Sequence, residues 1–102
     1  MNYRNPQLLA LAKYAPRCMK CGCENHGQIV MAHANWEEFG KGMGMKAHDC
    51  FVAALCDDCH RELDQGLRMA KIERFDVWLM AFIKTWVWLF TARFIGVLKV
   101  RP

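Results

Sequence analysis

Two pairs of cysteines with the same spacing are the feature that most constrains this chain. Cys18 and Cys21 form the first C-x-x-C pair, and Cys56 and Cys59 form the second. Four thiolates on two such turns can close a tetrahedral shell around one Zn²⁺, which is typical of a structural zinc because no position stays open for water. We therefore expect a structural zinc bound by Cys18, Cys21, Cys56 and Cys59.

The redox compartment decides between zinc binding and disulfides, because six cysteines could serve either. Residues 1–7 are polar and contain no apolar run of the kind found in a signal peptide. We expect a reduced, cytoplasmic setting, in which paired C-x-x-C favours metal binding. A thiol oxidoreductase is a weaker alternative, since the pattern does not predict the βαβ frame that such an enzyme uses. Cys23 and Cys50 compete with the four expected ligands.

Size and charge limit the class of protein further. A chain of 102 residues has room for a single domain with a modest core. The net charge of +4 would fall by about two on zinc tetrathiolate formation, which leaves a weakly basic protein suited to an anionic partner. The most apolar stretch, 75–98, is interrupted by two charged residues, Lys84 and Arg93. Its longest unbroken apolar run, Val77 to Ile83, is far shorter than the roughly 20 residues that a membrane-spanning helix needs. We expect no membrane insertion.

Apolar periodicity, capping residues and glycines predict a mixed α+β chain. In chain order we expect a helix over Pro6–Tyr14, a strand over Gln28–Asn35, and a strand or helix over Asp49–Leu55. These are followed by a short helix over His60–Gln65 stopped by Gly66, a long helix over Met69–Phe94, and a short terminal strand over Gly96–Val100.

The long helix is apolar on two sides. Besides its main apolar stripe it carries Val77, Met80, Val87 and Trp88, more than a lone surface helix needs. Either the helix is central to the core, or it packs against a second subunit. A homodimer through this helix is therefore one of our expectations.

Five polar side chains between and beside the cysteine pairs could carry chemistry. His33 lies on the predicted strand, and an imidazole can accept a proton from water near neutral pH. His60 and Asp64 are four residues apart on one helix, so the carboxylate could orient the imidazole or share its metal; a solvated ion pair is the plainer alternative. Lys41 and Lys46 lie in a glycine-rich loop that could contact a phosphate backbone. The P-loop spacing is absent, which argues against nucleotide hydrolysis.

Together these residues carry a family resemblance. The segments Val30-Met-Ala-His33, Gly42 to Asp49 and Cys56-x-x-Cys59-His60-x-x-x-Asp64 resemble the HNH, or ββα-metal, endonucleases built on a treble-clef zinc, and more specifically the YbcO-like nuclease family of prophages. The resemblance covers about Cys18 to Asp64. It implies a treble-clef zinc and active-site module over about 17–66 and a helical part over about 67–102, within one domain.

The resemblance also implies a role for each matching residue. His33 would be the general base that activates water against a phosphodiester of DNA, and His60 would bind a catalytic divalent metal such as Mg²⁺ or Mn²⁺. Asp49 lies near the place of the middle asparagine of the HNH signature. Lys46 would hold substrate phosphate, and the zinc would be structural. Such an enzyme would act in the cytoplasm of a bacterial or phage-infected cell.

One position departs from the HNH pattern. Many HNH enzymes have an acidic metal ligand immediately before the base, where this chain has Ala32. A metal site would then need Asp49, Asp64, His48 or His26 instead. The alternative function is a non-catalytic, zinc-stabilised module that binds nucleic acid or a protein.

Overall fold

The computed structural model describes residues 2–66 and 68–99 and has an α+β architecture, as the sequence predicts. Its elements are helix α1 (Pro6–Ala10) with a 3-10 turn (Leu11–Tyr14), strand β1 (Ile29–His33), a second 3-10 turn (Glu37–Phe39), strand β2 (Val52–Cys56), helix α2 (Asp57–Gln65) and helix α3 (Lys71–Thr91). The two strands form one sheet, and the long helix follows it in the chain.

Local signals in the sequence account for the first helix and for the end of α2. The Asn5 side chain accepts a hydrogen bond from the Leu8 N–H at 3.1 Å and Pro6 follows it, so the helix starts where predicted. The turn ends at Tyr14, before Pro16. Gly66 does end α2, although its φ is an ordinary −68°; a Cβ there would lie 2.2 Å from the Glu62 carbonyl oxygen, so only glycine fits.

The sequence left the range 49–55 open between strand and helix. Residues 52–55 of that range, together with Cys56, form strand β2, and every residue of β2 pairs with β1. The pairing is antiparallel, with Ile29 opposite Cys56 and His33 opposite Val52. All five residues of β2 are buried. The outer edge of β2 is covered at Ala54, whose N–H donates to Thr85 Oγ1 at 3.0 Å and whose carbonyl accepts from the Met19 N–H at 2.9 Å.

Helix α3 packs one face on the sheet and leaves the other exposed. Trp78, Ala81, Thr85 and Leu89 are buried at steps of three and four residues, so the helix is central to the core. Its exposed residues include Met80, Ile83, Val87 and Phe90, which form an apolar outer face. The homodimer through this face stays a prediction. Among the helices described here, none has both the length and the apolar character needed to cross a membrane.

The C-terminal end differs from the prediction. The helix ends at Thr91 rather than at Phe94, because Arg93 adopts a left-handed backbone conformation with φ 64°. The predicted strand over Gly96–Val100 is wrong for residues 96–99, which have no strand partner, and Val100 lies outside the described residues. Val97 and Leu98 are almost fully exposed, and at Ala54 the edge of β2 is already occupied.

Candidate active-site cleft and cysteine centre

A cleft of about 410 Å³ lies where β1, α2 and the glycine-rich loop meet, and it contains five of the residues predicted for chemistry. Its lining consists of Leu9, Val30, Met31, His33, Ala34, Asn35, Lys41, Lys46, His60 and Asp64. Residues from four separate segments of the sequence therefore share one surface. The cleft combines imidazole, carboxylate and ammonium groups on an apolar floor.

His33, at the end of β1, is held in a fixed orientation. Its side chain is 16% exposed, and its Nε2 lies 2.7 Å from Asp49 Oδ1. A carboxylate can only accept, so Nε2 carries the proton and the lone pair of the neutral ring lies on Nδ1. Asp49 thus determines which nitrogen of His33 can accept a proton.

Asp49 is a buried carboxylate surrounded by donors. Only 2% of its side chain is exposed, and besides His33 it accepts from the Asn5 N–H at 2.6 Å and from Arg4 Nη1 at 3.0 Å. Burial alone would raise the pKa of Asp49, but these three donors outweigh it and lower that pKa below its usual value. Asp49 therefore stays ionised and available to His33.

The residues that support Asp49 come from the start of the chain, and the sequence analysis missed them. We call residues 2–5 the N-terminal strap. Asn2 Nδ2 donates to the carbonyls of Gly40 at 2.6 Å and Lys46 at 2.8 Å, and Arg4 donates to the carbonyls of Ala47 at 2.6 Å and Lys46 at 2.8 Å. The strap thus fastens both ends of the loop that carries the two lysines. Apart from the cap at Asn5, no local pattern marks these contacts.

His48 also binds the N-terminal strap. Its Nδ1 accepts the Tyr3 N–H at 3.0 Å, and the Asp49 N–H donates to the Tyr3 carbonyl at 3.0 Å. Gly40 has φ 92°, and a Cβ at that residue would lie 2.7 Å from the His48 ring, so glycine is needed there on both counts. His48 serves the loop and does not line the cleft.

His60 and Asp64 form the pair expected from their spacing. On α2, His60 Nε2 lies 3.1 Å from Asp64 Oδ2, and both side chains are partly exposed toward the cleft. The pair offers one imidazole and one carboxylate. The remaining histidine, His26, is not among the residues that line the cleft, and its Nε2 lies 3.8 Å from Glu24 Oε2.

Four cysteine sulfurs form a compact group that could hold a metal ion. The Sγ atoms of Cys18, Cys21, Cys23 and Cys56 all lie within 4.8 Å of one another. The separation of Cys21 Sγ and Cys56 Sγ is 3.8 Å, which matches the edge of roughly 3.8 Å that a ZnS₄ tetrahedron with Zn–S bonds of about 2.3 Å requires. A cysteine cluster able to hold zinc is therefore present. It has Cys23 where Cys59 was expected.

Cys59 is buried in the first turn of α2, three residues after Cys56, but its Sγ is not part of the compact group. Burial and the thiols of Cys56, Cys21 and Cys18 raise the pKa of Cys59. Cys50 is separate, and its pKa is raised by burial and by the charge of Asp49. The sixth cysteine is thus not a ligand candidate in this arrangement.

The surroundings of Cys18 favour its thiolate. Burial would raise the pKa of Cys18, but N–H donors outweigh it and lower the pKa to about 6. The Lys20 N–H lies 3.4 Å and the Cys21 N–H 3.5 Å from Cys18 Sγ, the kind of support that a zinc-bound sulfur receives. Cys23, in contrast, has its pKa raised to about 11 by the Cys21 thiol, by burial and by Cys56.

The cleft contains fewer metal ligands than the cysteine centre. Among residues 2–66 and 68–99, the cysteines are the one group of three or more histidine, cysteine or acidic side chains close enough to share an ion. Ala32 is buried, and its carbonyl accepts from Trp78 Nε1 at 3.3 Å, so this position faces the core beneath α3. Position 32 therefore cannot supply a metal ligand to the cleft, because alanine has no ligand atom and the residue packs in the core.

Comparison of the chain with protein-family models, with curated proteins and with solved structures finds no match in any of the three.

Proposed function

We propose that this protein is a DNA endonuclease that hydrolyses phosphodiester bonds with a water activated by His33. The observation that carries the proposal is the His33–Asp49 pair at a cleft lined by two lysines and by the His60–Asp64 pair. A buried carboxylate behind an imidazole that borders a polar cleft is an arrangement suited to general base catalysis. The resemblance to HNH endonucleases, in which these positions have matching roles, supports the same reaction.

His33 would act through Nδ1. Because Nε2–H donates to Asp49, Nδ1 is the atom free to take a proton from water. The resulting imidazolium would face the ionised Asp49 carboxylate at 2.7 Å, which stabilises the charge that forms on the ring. Asp49 is thus a positioning residue that acts through His33.

The two lysines would bind the phosphodiester backbone. Lys41 is half-buried and Lys46 is exposed, and both line the cleft. Their ammonium groups would neutralise phosphate charge, so binding should weaken as the salt concentration rises. The strap holds the backbone of Lys46 through Asn2 and Arg4, which reduces the freedom of the loop before substrate binds.

His60 and Asp64 would hold a divalent metal, with the substrate and water completing its coordination. When bound, Mg²⁺ or Mn²⁺ would supply charge stabilisation for the phosphoryl and leaving oxygens. Two protein ligands make a weak site, in keeping with Mg²⁺ sites that retain several waters and use substrate phosphates. We therefore expect cleavage to require millimolar rather than trace metal.

Substitution of His33 tests the enzyme directly. The change His33→Ala should abolish nicking of supercoiled plasmid in Mg²⁺ or Mn²⁺, while zinc content and the circular dichroism spectrum stay unchanged. The matched control is His26→Ala, which removes an exposed histidine outside the cleft and should leave nicking intact. Full cleavage by the His33 variant would refute the proposal.

The second candidate is a zinc-stabilised binding module without catalysis. The buried Ala32 favours it, because the position that supplies an acidic ligand in many HNH enzymes is closed here. A panel of linear, supercoiled, single-stranded and branched DNA across several divalent metals separates the two. Salt-sensitive DNA binding that depends on Lys41 and Lys46, with no cleavage in any metal, would favour the module.

A further inference from the structure

We propose that the zinc centre has five thiols for four coordination positions, with Cys23 and Cys59 as interchangeable fourth ligands. Cys18, Cys21 and Cys56 would be common to both arrangements. The inference rests on the structural zinc of the proposed function, but it concerns metal binding alone. Its outcome is independent of whether the protein cleaves DNA.

The first tetrad is defined by the distances between sulfurs. Cys18, Cys21, Cys23 and Cys56 form the group in which every pair of Sγ atoms lies within 4.8 Å. Backbone turns bring Cys23 into this group: the Cys18 N–H donates to the Cys23 carbonyl at 2.9 Å, and the Gly22 N–H donates to the Cys18 carbonyl at 3.0 Å. Gly22 has φ 79°, which allows the chain to reverse between the two cysteines.

The second tetrad replaces Cys23 with Cys59. Cys56 precedes α2 and Cys59 lies in its first turn, so the start of the helix points both side chains to one side. Cys59 is buried and follows Cys56 at the C-x-x-C spacing of a zinc-binding turn, although its Sγ lies outside the compact group of four. Either set satisfies the Cys₄ composition of a structural zinc site.

The two candidate ligands differ in their surroundings. Cys59 is buried at 5% exposure, whereas Cys23 is half-buried on a turn. Water and a competing chelator would therefore reach Cys23 more easily. If zinc lost the thiolate of one of these two cysteines, the other would take its place and restore four Zn–S bonds. The spare thiol is a reserve ligand.

Zinc content and cobalt spectra of four variants test the inference. Cys23→Ser and Cys59→Ser each remove one of the two candidates, and the double variant removes both. Cys50→Ser is the matched control, because that thiol is separate from the centre. Zinc per chain is measured by mass spectrometry after dialysis against a chelator, and thiolate-to-cobalt absorption of the Co²⁺ form reports the number of metal–sulfur bonds.

Both single variants should bind one metal ion with the absorption of four metal–sulfur bonds, like the parent and the Cys50 variant. The double variant, which leaves three of the five thiols, should show three such bonds and bind zinc at least about tenfold more weakly. The single variants decide the matter, since each retains a full set of four thiols whether or not the double variant folds. A three-sulfur spectrum in either of them would identify that cysteine as the fixed fourth ligand and overturn the inference.

Discussion

Substitution of Asp49 by asparagine tests the central contact of the candidate site. The carboxylate accepts three hydrogen bonds, from the Asn5 N–H on Oδ2 and from Arg4 and His33 on Oδ1. An asparagine has nearly the same shape but one acceptor oxygen and one donor nitrogen. If the amide oxygen faces Arg4 and His33, the amide nitrogen faces the Asn5 N–H, and two donors then oppose each other.

The cost follows from those contacts. A buried donor left unpaired costs about 1–3 kcal/mol, and bonds to a charged acceptor lose about half their strength when the charge is removed. The Arg4 side chain is 41% exposed and can form hydrogen bonds to water instead, so the loss of its bond to Asp49 contributes little to the cost. We expect Asp49→Asn to lower the free energy of unfolding by about 2–4 kcal/mol, a fall in melting temperature of roughly 10–25 °C for a domain of this size.

Urea denaturation with saturating zinc measures the stability, and plasmid nicking measures catalysis. Nicking should fall by a factor on the order of 10²–10⁴, because the ring of His33 loses the carboxylate that fixes its tautomer. Asp58→Asn is the matched control: this carboxylate is 87% exposed, pairs with Arg61 at the surface, and should change stability by less than about 0.5 kcal/mol. Equal stability of the two variants would refute the account of Asp49.

Three further predictions concern other contacts. The pKa of Asp49 is lowered in the folded state, so the ionised carboxylate should stabilise the fold fully above about pH 4. That stabilisation should be lost as the pH falls through the folded pKa. In an acid titration, the free energy of unfolding should therefore fall more steeply for the parent than for Asp49→Asn. Thr85→Val should cost about 1–3 kcal/mol in urea denaturation, since it leaves the Ala54 N–H unpaired, whereas Thr91→Val on the exposed side should cost much less. If α3 forms a homodimer through its outer face, Val87→Glu should give a monomer in light scattering without loss of zinc; a parent that is already monomeric would contradict the dimer.

The elements with strong local signals could be predicted from the sequence. Asn5-Pro6 determined the start of the first helix, and the apolar repeat around Trp78 and Leu89 determined the buried face of α3. Both signals act within a few residues, so a single sequence contains them in full. The end of α3 was missed because Arg93 adopts a left-handed conformation that is unusual for any residue other than glycine.

The candidate site could be predicted only in part, because its contacts join distant segments. The C-x-x-C spacing correctly predicted three of the four sulfurs of the compact group, and the four-residue spacing on a helix predicted the contact between His60 and Asp64. Asp49 was expected near the site, but its bond to His33 depends on how the loop folds back. The contribution of Arg4 has no local signature, since its partners lie more than forty residues away.

The N-terminal strap has a consequence for the order of folding. Its hydrogen bonds to the loop and to Asp49 join residues that are 38 to 46 positions apart, so closing them from an open chain costs considerable loop entropy. Zinc binding at Cys18, Cys21 and Cys56 would close most of that span first, and the strap would then close over a much shorter effective loop. The His33–Asp49 pair would thus form last, and a chain deprived of zinc should lack this contact.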